Sequence, residues 1–340
     1  MNAEKTRRLA DQTVLVAGGA GFVGSQLVRE LLAEGARVVV YDSFLHGTRE
    51  NLHGLAGPVE VVVGDVLDEF KLFEAFRRYR PRFAFNLVGD TYVPSAYDVP
   101  KRFLRVNVEG TMNVLLAAKT AGVERTVYVS STEVYGEAVE VPMNERHPLS
   151  PANTYAVTKL AADRICYTFH HEHGIPVVIA RIYNCYGPRE TQPYVIPEII
   201  TQLDKGPVVE LGNVNARRDF TYVADTARGL IATLLSDVAN GDVVNIGSGR
   251  AYSVRELVDE LGPLLGHSAW EIKTDPRRLR RLDVECFQCD ATKLRQASGW
   301  VPRVSLREGL ALTTQWFREN GRAWSWERWV DGTIIYDGSV

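Results

Sequence analysis

The sequence predicts an α/β protein built on a parallel, doubly wound sheet. Apolar strands alternate with helices through the first half of the chain, as strands covered on both faces require. A glycine-rich loop, Gly18-Gly19-Ala20-Gly21-Phe22-Val23-Gly24, stands between the first strand and the first helix, and an acid, Asp42, ends the second strand.

The elements follow in order. Thr13 to Val16 reads as a short apolar strand, and Gly24 to Glu34 as a helix stopped by Gly35. Arg37 to Tyr41, Val59 to Val63 and Phe83 to Val88 are the next strands. Phe103 to Ala121 reads as one long helix ended by Gly122, followed by a strand over Thr126 to Ser130. Ser150-Pro151 opens a helix running to about His173, and Pro176 to Arg181 is a sixth strand. After Tyr186-Gly187-Pro188 the elements shorten. Val243 to Ile246 reads as a strand returning to the sheet, and Ser253 with Glu256 forms a capping box for a helix to Leu265. These boundaries place a dinucleotide-binding domain over residues 10–186, rejoined by part of 215–250. A smaller, interleaved substrate-binding region covers mainly 187–335. The tail carries Trp324, Trp326 and Trp329, which read as packing on the body or on a partner subunit.

The chain has 340 residues, 45% hydrophobic and 24% charged, with a formal net charge of −3. That balance gives no electrostatic reason for nucleic acid or an anionic membrane as partner, and no apolar run has the length of a bilayer span. The polar lead-in Met1 to Gln12 lacks a following apolar segment, so a cytoplasmic location is expected. Cys166, Cys185, Cys286 and Cys289 form no disulfide framework and no metal-ligand pattern beyond the single Cys286-x-x-Cys289. They read as free thiols, and no metal is expected. His170, His171 and His173 precede Gly174 at a helix end, where imidazole complements the helix dipole.

The chemistry lies in two places. Gly18, Gly21 and Gly24 follow a strand and open a helix, so the backbone of this loop, with Phe22 and Val23, can approach a dinucleotide pyrophosphate at the helix N-terminus. Asp42 suits the adenosine ribose hydroxyls and repels a 2′-phosphate, which favours NAD over NADP. Asp65, with Val66 beside it, follows the third strand, where it suits either the adenine or a plain turn. Further along, Tyr155 and Lys159 lie one helical turn apart on one face of a helix, an arrangement in which an ammonium favours a phenolate base. Ser130, Ser131, Thr132 and Glu133 lie at the C-terminal end of the fifth strand, where ligands bind in such sheets.

These motifs, in this order, resemble the extended short-chain dehydrogenase/reductases, and among them the NAD-dependent nucleotide-sugar epimerase/dehydratase family. The resemblance runs from Val14 to about Phe317. It rests on Gly18-x-x-Gly21-x-x-Gly24, Ser130 to Gly136, Tyr155-Ala-Val-Thr-Lys159, Arg181 to Arg189 and Arg218-Asp219-Phe220, with Asn107 as the structural asparagine of the long helix. It implies a Rossmann-type fold, NAD as cofactor, a nucleotide-diphosphate sugar as substrate, and a homodimer formed through the helices near 103–121 and 151–173. It also implies that Tyr155 removes the proton of the sugar C4 hydroxyl while the hydride passes to NAD. Lys159 lowers the Tyr155 pKa and holds the nicotinamide ribose, and Ser131 binds the C4 oxygen.

The resemblance implies that the fate of the 4-keto sugar depends largely on Glu133. In the 4,6-dehydratases of the family a glutamate in this register removes the C5 proton, so dehydration is the favoured outcome, 4-epimerisation the alternative, and decarboxylation of UDP-glucuronate the third. An NAD-binding sensor of the same fold is the non-enzymatic alternative. The resemblance further assigns Asn184, Arg218 and Arg280 to the diphosphate or sugar and lets Arg189 face the sugar C6 group. Tyr194 and Phe220 suit either base stacking or the core. The chain departs from the family at Ser131, at Ile182, at Gly89-Asp90 and in Thr132, where many dehydratases carry Asp.

Overall fold

The structure is a computed structural model that describes residues 9–190, 192–279 and 283–320. Its strands in chain order are β1 (Thr13–Ala17), β2 (Arg37–Asp42), β3 (Val59–Val63), β4 (Phe83–Asn86), β5 (Arg125–Ser131), β6 (Val177–Ile182) and β7 (Asn184–Tyr186). Then follow β8 (Val208–Leu211), β9 (Arg217–Tyr222), β10 (Val243–Ile246), β11 (Ala251–Ser253), β12 (Glu271–Thr274) and β13 (Cys286–Phe287). Seven of them form one sheet in the order β10-β6-β5-β4-β1-β2-β3, parallel throughout. The Rossmann-type fold is as the sequence predicts, and β10 returns to the sheet beside β6.

Successive strand side chains point to opposite faces. Val14 and Val16 join Leu27, Leu31 and the helix Val223–Leu235 in one core, while Leu15 and Ala17 join Leu72, Phe76 and Val114 in another. Both faces are covered, which is why the strands read as unbroken apolar runs. Beyond the main sheet, Ile199, Leu211, Phe220, Leu257, Leu261 and Leu310 build a separate core for the smaller region. The capping box at Ser253 is present: Glu256 N–H donates to Ser253 Oγ at 3.1 Å and Ser253 N–H to Glu256 Oε2 at 2.7 Å. Among the described residues no helix is long and apolar enough to cross a membrane.

Two expectations are corrected. The long helix over 103–121 is three pieces: Pro100–Leu104, a π-helical turn Arg105–Glu109, and Gly110–Thr120. The extra residue of the turn carries Asn107 inward, a common device at functional sites. The helix of Tyr155 starts at Thr154, not at Ser150-Pro151, because Asn153 is its N-cap and accepts the Ala156 N–H at 2.9 Å. The helix Glu69–Tyr79, capped by Asp68, is not anticipated by the sequence reading. The tail tryptophans Trp324, Trp326 and Trp329 lie outside the described residues.

Candidate active site

The carboxyl ends of β1, β4, β5 and β6 open into a cavity of about 780 Å³, bounded on its far side by the smaller region. Gly18, Gly21, Phe22, Val23 and Gly24 line one end. The Gly18 N–H donates to Tyr41 O at 2.8 Å, the last bond of the β1–β2 ladder, and the chain leaves the sheet there with Gly18 at φ +82°. A Cβ at Gly24 would lie 2.0 Å from Gly18 O, so only glycine lets the helix Phe22–Ala33 press against the loop. Its N-cap, Gly21, has no side chain to satisfy the first-turn N–H groups. A cradle of bare backbone donors at a helix N-terminus fits a pyrophosphate.

Asp42 is buried at the end of β2. Its Oδ2 accepts the Ala20 N–H at 2.9 Å and its Oδ1 the Phe44 N–H at 2.8 Å, so the carboxylate braces the loop while each oxygen keeps further acceptor capacity. Burial raises its pKa, against the two backbone N–H groups and His46. Asp65 is exposed and accepts the Leu67 N–H at 2.9 Å, the turn role. Val66 is buried against Gly110, and neither residue lines the cavity.

Ser131 ends β5, and the chain turns there through Thr132–Tyr135. Its Oγ accepts the Glu133 N–H at 3.2 Å. Asn153, besides capping the helix, donates from Nδ2 to Glu133 Oε2 at 3.1 Å. Glu133 is thereby held in the cavity wall, with no arginine partner among the described residues, in the same lining as Ser131, Tyr155 and Lys159. Burial raises the Tyr155 pKa; the Ser131 hydroxyl opposes the rise and the Glu133 charge adds to it. Lys159 Nζ donates to Val129 O at 2.6 Å and lies 4.6 Å above the Tyr128 ring. Burial pushes its ammonium down to about 8, against the charges of Cys166 and Asp163.

A buried pair stands behind these residues. Arg181 donates to both oxygens of Asp163, at 2.9 and 3.1 Å, and Ser130 Oγ donates to Asp163 Oδ2 at 3.1 Å. On the other side, Asn107 accepts the Asp90 N–H at 2.8 Å and donates to Asp90 O at 3.1 Å and to Thr158 Oγ1 at 2.9 Å. One side chain thus joins the loop after β4 to the Tyr155 helix.

At the far end, Asn184 and Arg218 line the cavity, and Arg218 Nη2 donates to Asp283 Oδ1 at 2.9 Å. Arg278 lines it too and donates to Glu198 Oε1 at 2.9 Å. Tyr194 and Phe220 both line the cavity; Phe220 meets Tyr186 edge-on within the core, and Tyr194 meets Tyr92.

The family model described as GDP-mannose 4,6 dehydratase matches residues 15–313. The chain belongs to the NAD-dependent nucleotide-sugar epimerase/dehydratase family. A UDP-N-acetyl-alpha-D-glucosaminuronate decarboxylase of Bacillus cytotoxicus is 31% identical over 320 residues, covering 90% of this chain and 97% of that protein. The epimerase Mth375 of Methanothermobacter thermautotrophicus superposes with a TM-score of 0.87 at 32% identity, over 97% of each chain. The dTDP-glucose 4,6-dehydratase of Streptomyces venezuelae, crystallised with NAD and TYD, has a TM-score of 0.83 at 33% identity, over 91% of this chain and 97% of its own. Relatives of one likeness therefore carry names of three different reactions, and NAD is the cofactor of the family.

As a member of this epimerase/dehydratase family, the chain brings Ser131, Glu133, Tyr155, Lys159, Asn184 and Arg218 to one cavity with the glycine loop. Lys159 Nζ meets Val129 O beside the cavity, and the Ser131 hydroxyl opposes the rise of the Tyr155 pKa. One expectation needs revision. Arg189 does not line the cavity: it donates to Gln26 on the first helix, and burial with the neighbouring Arg29 pushes its guanidinium down to about 10. Arg280 lies outside the described residues, while Arg278 of the same arginine run reaches the cavity.

Sequence reasoning missed His46, Thr91 and Gln192. His46 Nε2 lies 2.7 Å from Asp90 Oδ1, and Arg102 Nε donates to Asp90 Oδ2 at 2.8 Å. Burial alone would raise the Asp90 carboxyl, but these two neighbours hold it below its ordinary value. The Gly89-Asp90 departure is the sequence signal that pointed to this corner. Among the described residues no group of His, Cys, Asp and Glu has the arrangement of a metal site.

Proposed function

We propose that this enzyme oxidises the C4 hydroxyl of a nucleotide-diphosphate hexose and carries the 4-keto sugar on to 4,6-dehydration. The observation behind it is Glu133, a carboxylate held by Asn153 in the cavity wall beside Ser131 and Tyr155. NAD, seated on Gly18, Gly21, Phe22, Val23 and Gly24 with Asp42 toward its ribose, supplies the hydride acceptor and donor. Tyr155 takes the C4 proton, Lys159 lends the positive charge that favours the phenolate, and Ser131 holds the C4 oxygen. A C4 ketone acidifies the C5 hydrogen, and Glu133 removes it. Arg218 and Arg280 hold the diphosphate, and Asn184 contacts the diphosphate or the sugar. Asp65 and Val66 remain proposed neighbours of the adenine, from the turn after β3.

Purified protein offered UDP-, GDP-, dTDP- and ADP-hexoses and UDP-glucuronate, read by mass spectrometry, tests this. Loss of one water from one substrate is expected. Glu133→Gln should slow that loss about 10²–10⁴-fold, the ordinary worth of a general base. An isobaric product of new retention time would establish 4-epimerisation, the reading favoured by the 0.87 TM-score to an epimerase. Loss of carbon dioxide would establish decarboxylation. We also infer a homodimer through the helices Pro100–Leu104 and Thr154–His173, where Leu104, Val157 and Tyr167 are exposed.

A further inference from the structure

Elimination of the C6 hydroxyl needs an acid, because hydroxide is a poor leaving group. The carboxylic acid that the chain lacks at Thr132 is not replaced on the same strand end, where Thr132 is buried. The remaining wall offers a phenol. Tyr194 lines the cavity, with its hydroxyl 3.0 Å from Thr91 Oγ1, and Thr91 Oγ1 in turn donates to Gln192 Oε1 at 3.2 Å. The Tyr194 ring is fixed edge-on against Tyr92, centroids 5.9 Å apart.

We propose that Tyr194 is the acid that protonates the departing C6 hydroxyl; this rests on the dehydratase reading above. Thr91 suits both states of such a group, since a hydroxyl accepts from a phenol and, after rotation, donates to a phenolate. Burial first, and then Glu190 and Tyr155, hold the Tyr194 phenol well above its ordinary pKa against the Thr91 hydroxyl, so it stays protonated until a strong base develops beside it. Tyr155 and Tyr194 line the same cavity.

The step balances. Glu133 takes the C5 proton, the C5–H electron pair forms the C5–C6 double bond, and the C6–O bond breaks as the Tyr194 proton joins the oxygen to make water. The hydride lost from C4 is the one restored at C6, and Glu133 returns its proton to C5. Tyr155 is then left with the C4 hydroxyl proton and Tyr194 without one. Loss of the Tyr155 proton to solvent and uptake of one by Tyr194 resets both, so each turnover lifts one proton from C4 and spends one in the water.

The test uses the full-length, NAD-loaded enzyme in D2O with whichever hexose of the panel the wild type dehydrates. Tyr194→Phe should slow water release about 10²–10⁴-fold while recovered substrate gains deuterium at C5, because oxidation by Tyr155 and exchange by Glu133 continue. Thr91→Val, which keeps the phenol, should slow the same step about tenfold, the worth of one hydrogen bond to a charged oxygen. Water release from Tyr194→Phe at the wild-type rate overturns the assignment. So does loss of C5 exchange together with water release, which marks a structural role at Tyr155. Failure of the wild type to release water from any substrate removes the dehydratase reading instead, and this acid with it.

Discussion

Lys159 shows what a single residue gives up at this site. Its ammonium is buried, rests on one carbonyl, and loses its proton near 8 instead of at its ordinary 10.5. In the unfolded chain the proton stays on until about pH 10.5. Between these values the unfolded state binds more protons, so the stability contribution of this group rises with pH through that window, by up to about 3 kcal/mol. Urea unfolding of the wild type and Lys159→Met at pH 7.5 and pH 10.5 should therefore show the difference moving toward the wild type at the higher pH. Parallel curves would mean that the buried ammonium carries no such penalty. The pair Tyr155 and Lys159 was legible in the sequence because both sit on one helix face. That the lysine turns to Val129 O was not, because β5 supplies the carbonyl. The same holds for His46 with Asp90 and for Arg218 with Asp283: each pair meets only across the fold.

Elements were legible where a face pattern or a cap marks them. The strands of the main sheet stand where their apolar runs predict, and Gly174 closes the Tyr155 helix in the left-handed conformation at its C-cap. The π turn was not legible, since no local signal distinguishes it; the partners of its Asn107, Asp90 and Thr158, lie on other elements. The Tyr155 helix is tied to β6 by Asp163 and Arg181, a fully buried pair with satisfied geometry. Burial would lower the Arg181 guanidinium, yet Asp163 and Tyr135 hold it above its ordinary value. Asp163→Asn leaves a buried guanidinium without its counter-charge, a loss of about 3–5 kcal/mol. A urea midpoint lowered to match, with partial recovery in the double variant Asp163→Asn with Arg181→Met, is the expected result. A change below about 1 kcal/mol would show that water or Ser130 compensates.

For the whole molecule, interleaving explains why the second half was read least well. Helix Val223–Leu235 belongs to the core of the main sheet, whereas β9, immediately before it, belongs to the smaller region, so neighbours in sequence serve different cores. Asp219 joins the two: it accepts Ser248 N–H and Gly249 N–H at 2.7 Å and Cys289 N–H at 3.1 Å. The outer face carries a different message. Leu104 is 54% exposed and Val157 52% exposed, on two helices packed side by side, where a monomer gains nothing by presenting them to water. Burial of each in a helix-pair interface is worth about 1.5–3 kcal/mol, and a symmetric dimer counts every contact twice. Light scattering should then give twice the 37.9 kDa chain mass for the wild type. Leu104→Glu with Val157→Glu should give the single-chain mass, with the circular dichroism spectrum unchanged, because neither side chain supports either core. A wild type of single-chain mass would show instead that this face stays open and that the cavity is complete within one subunit.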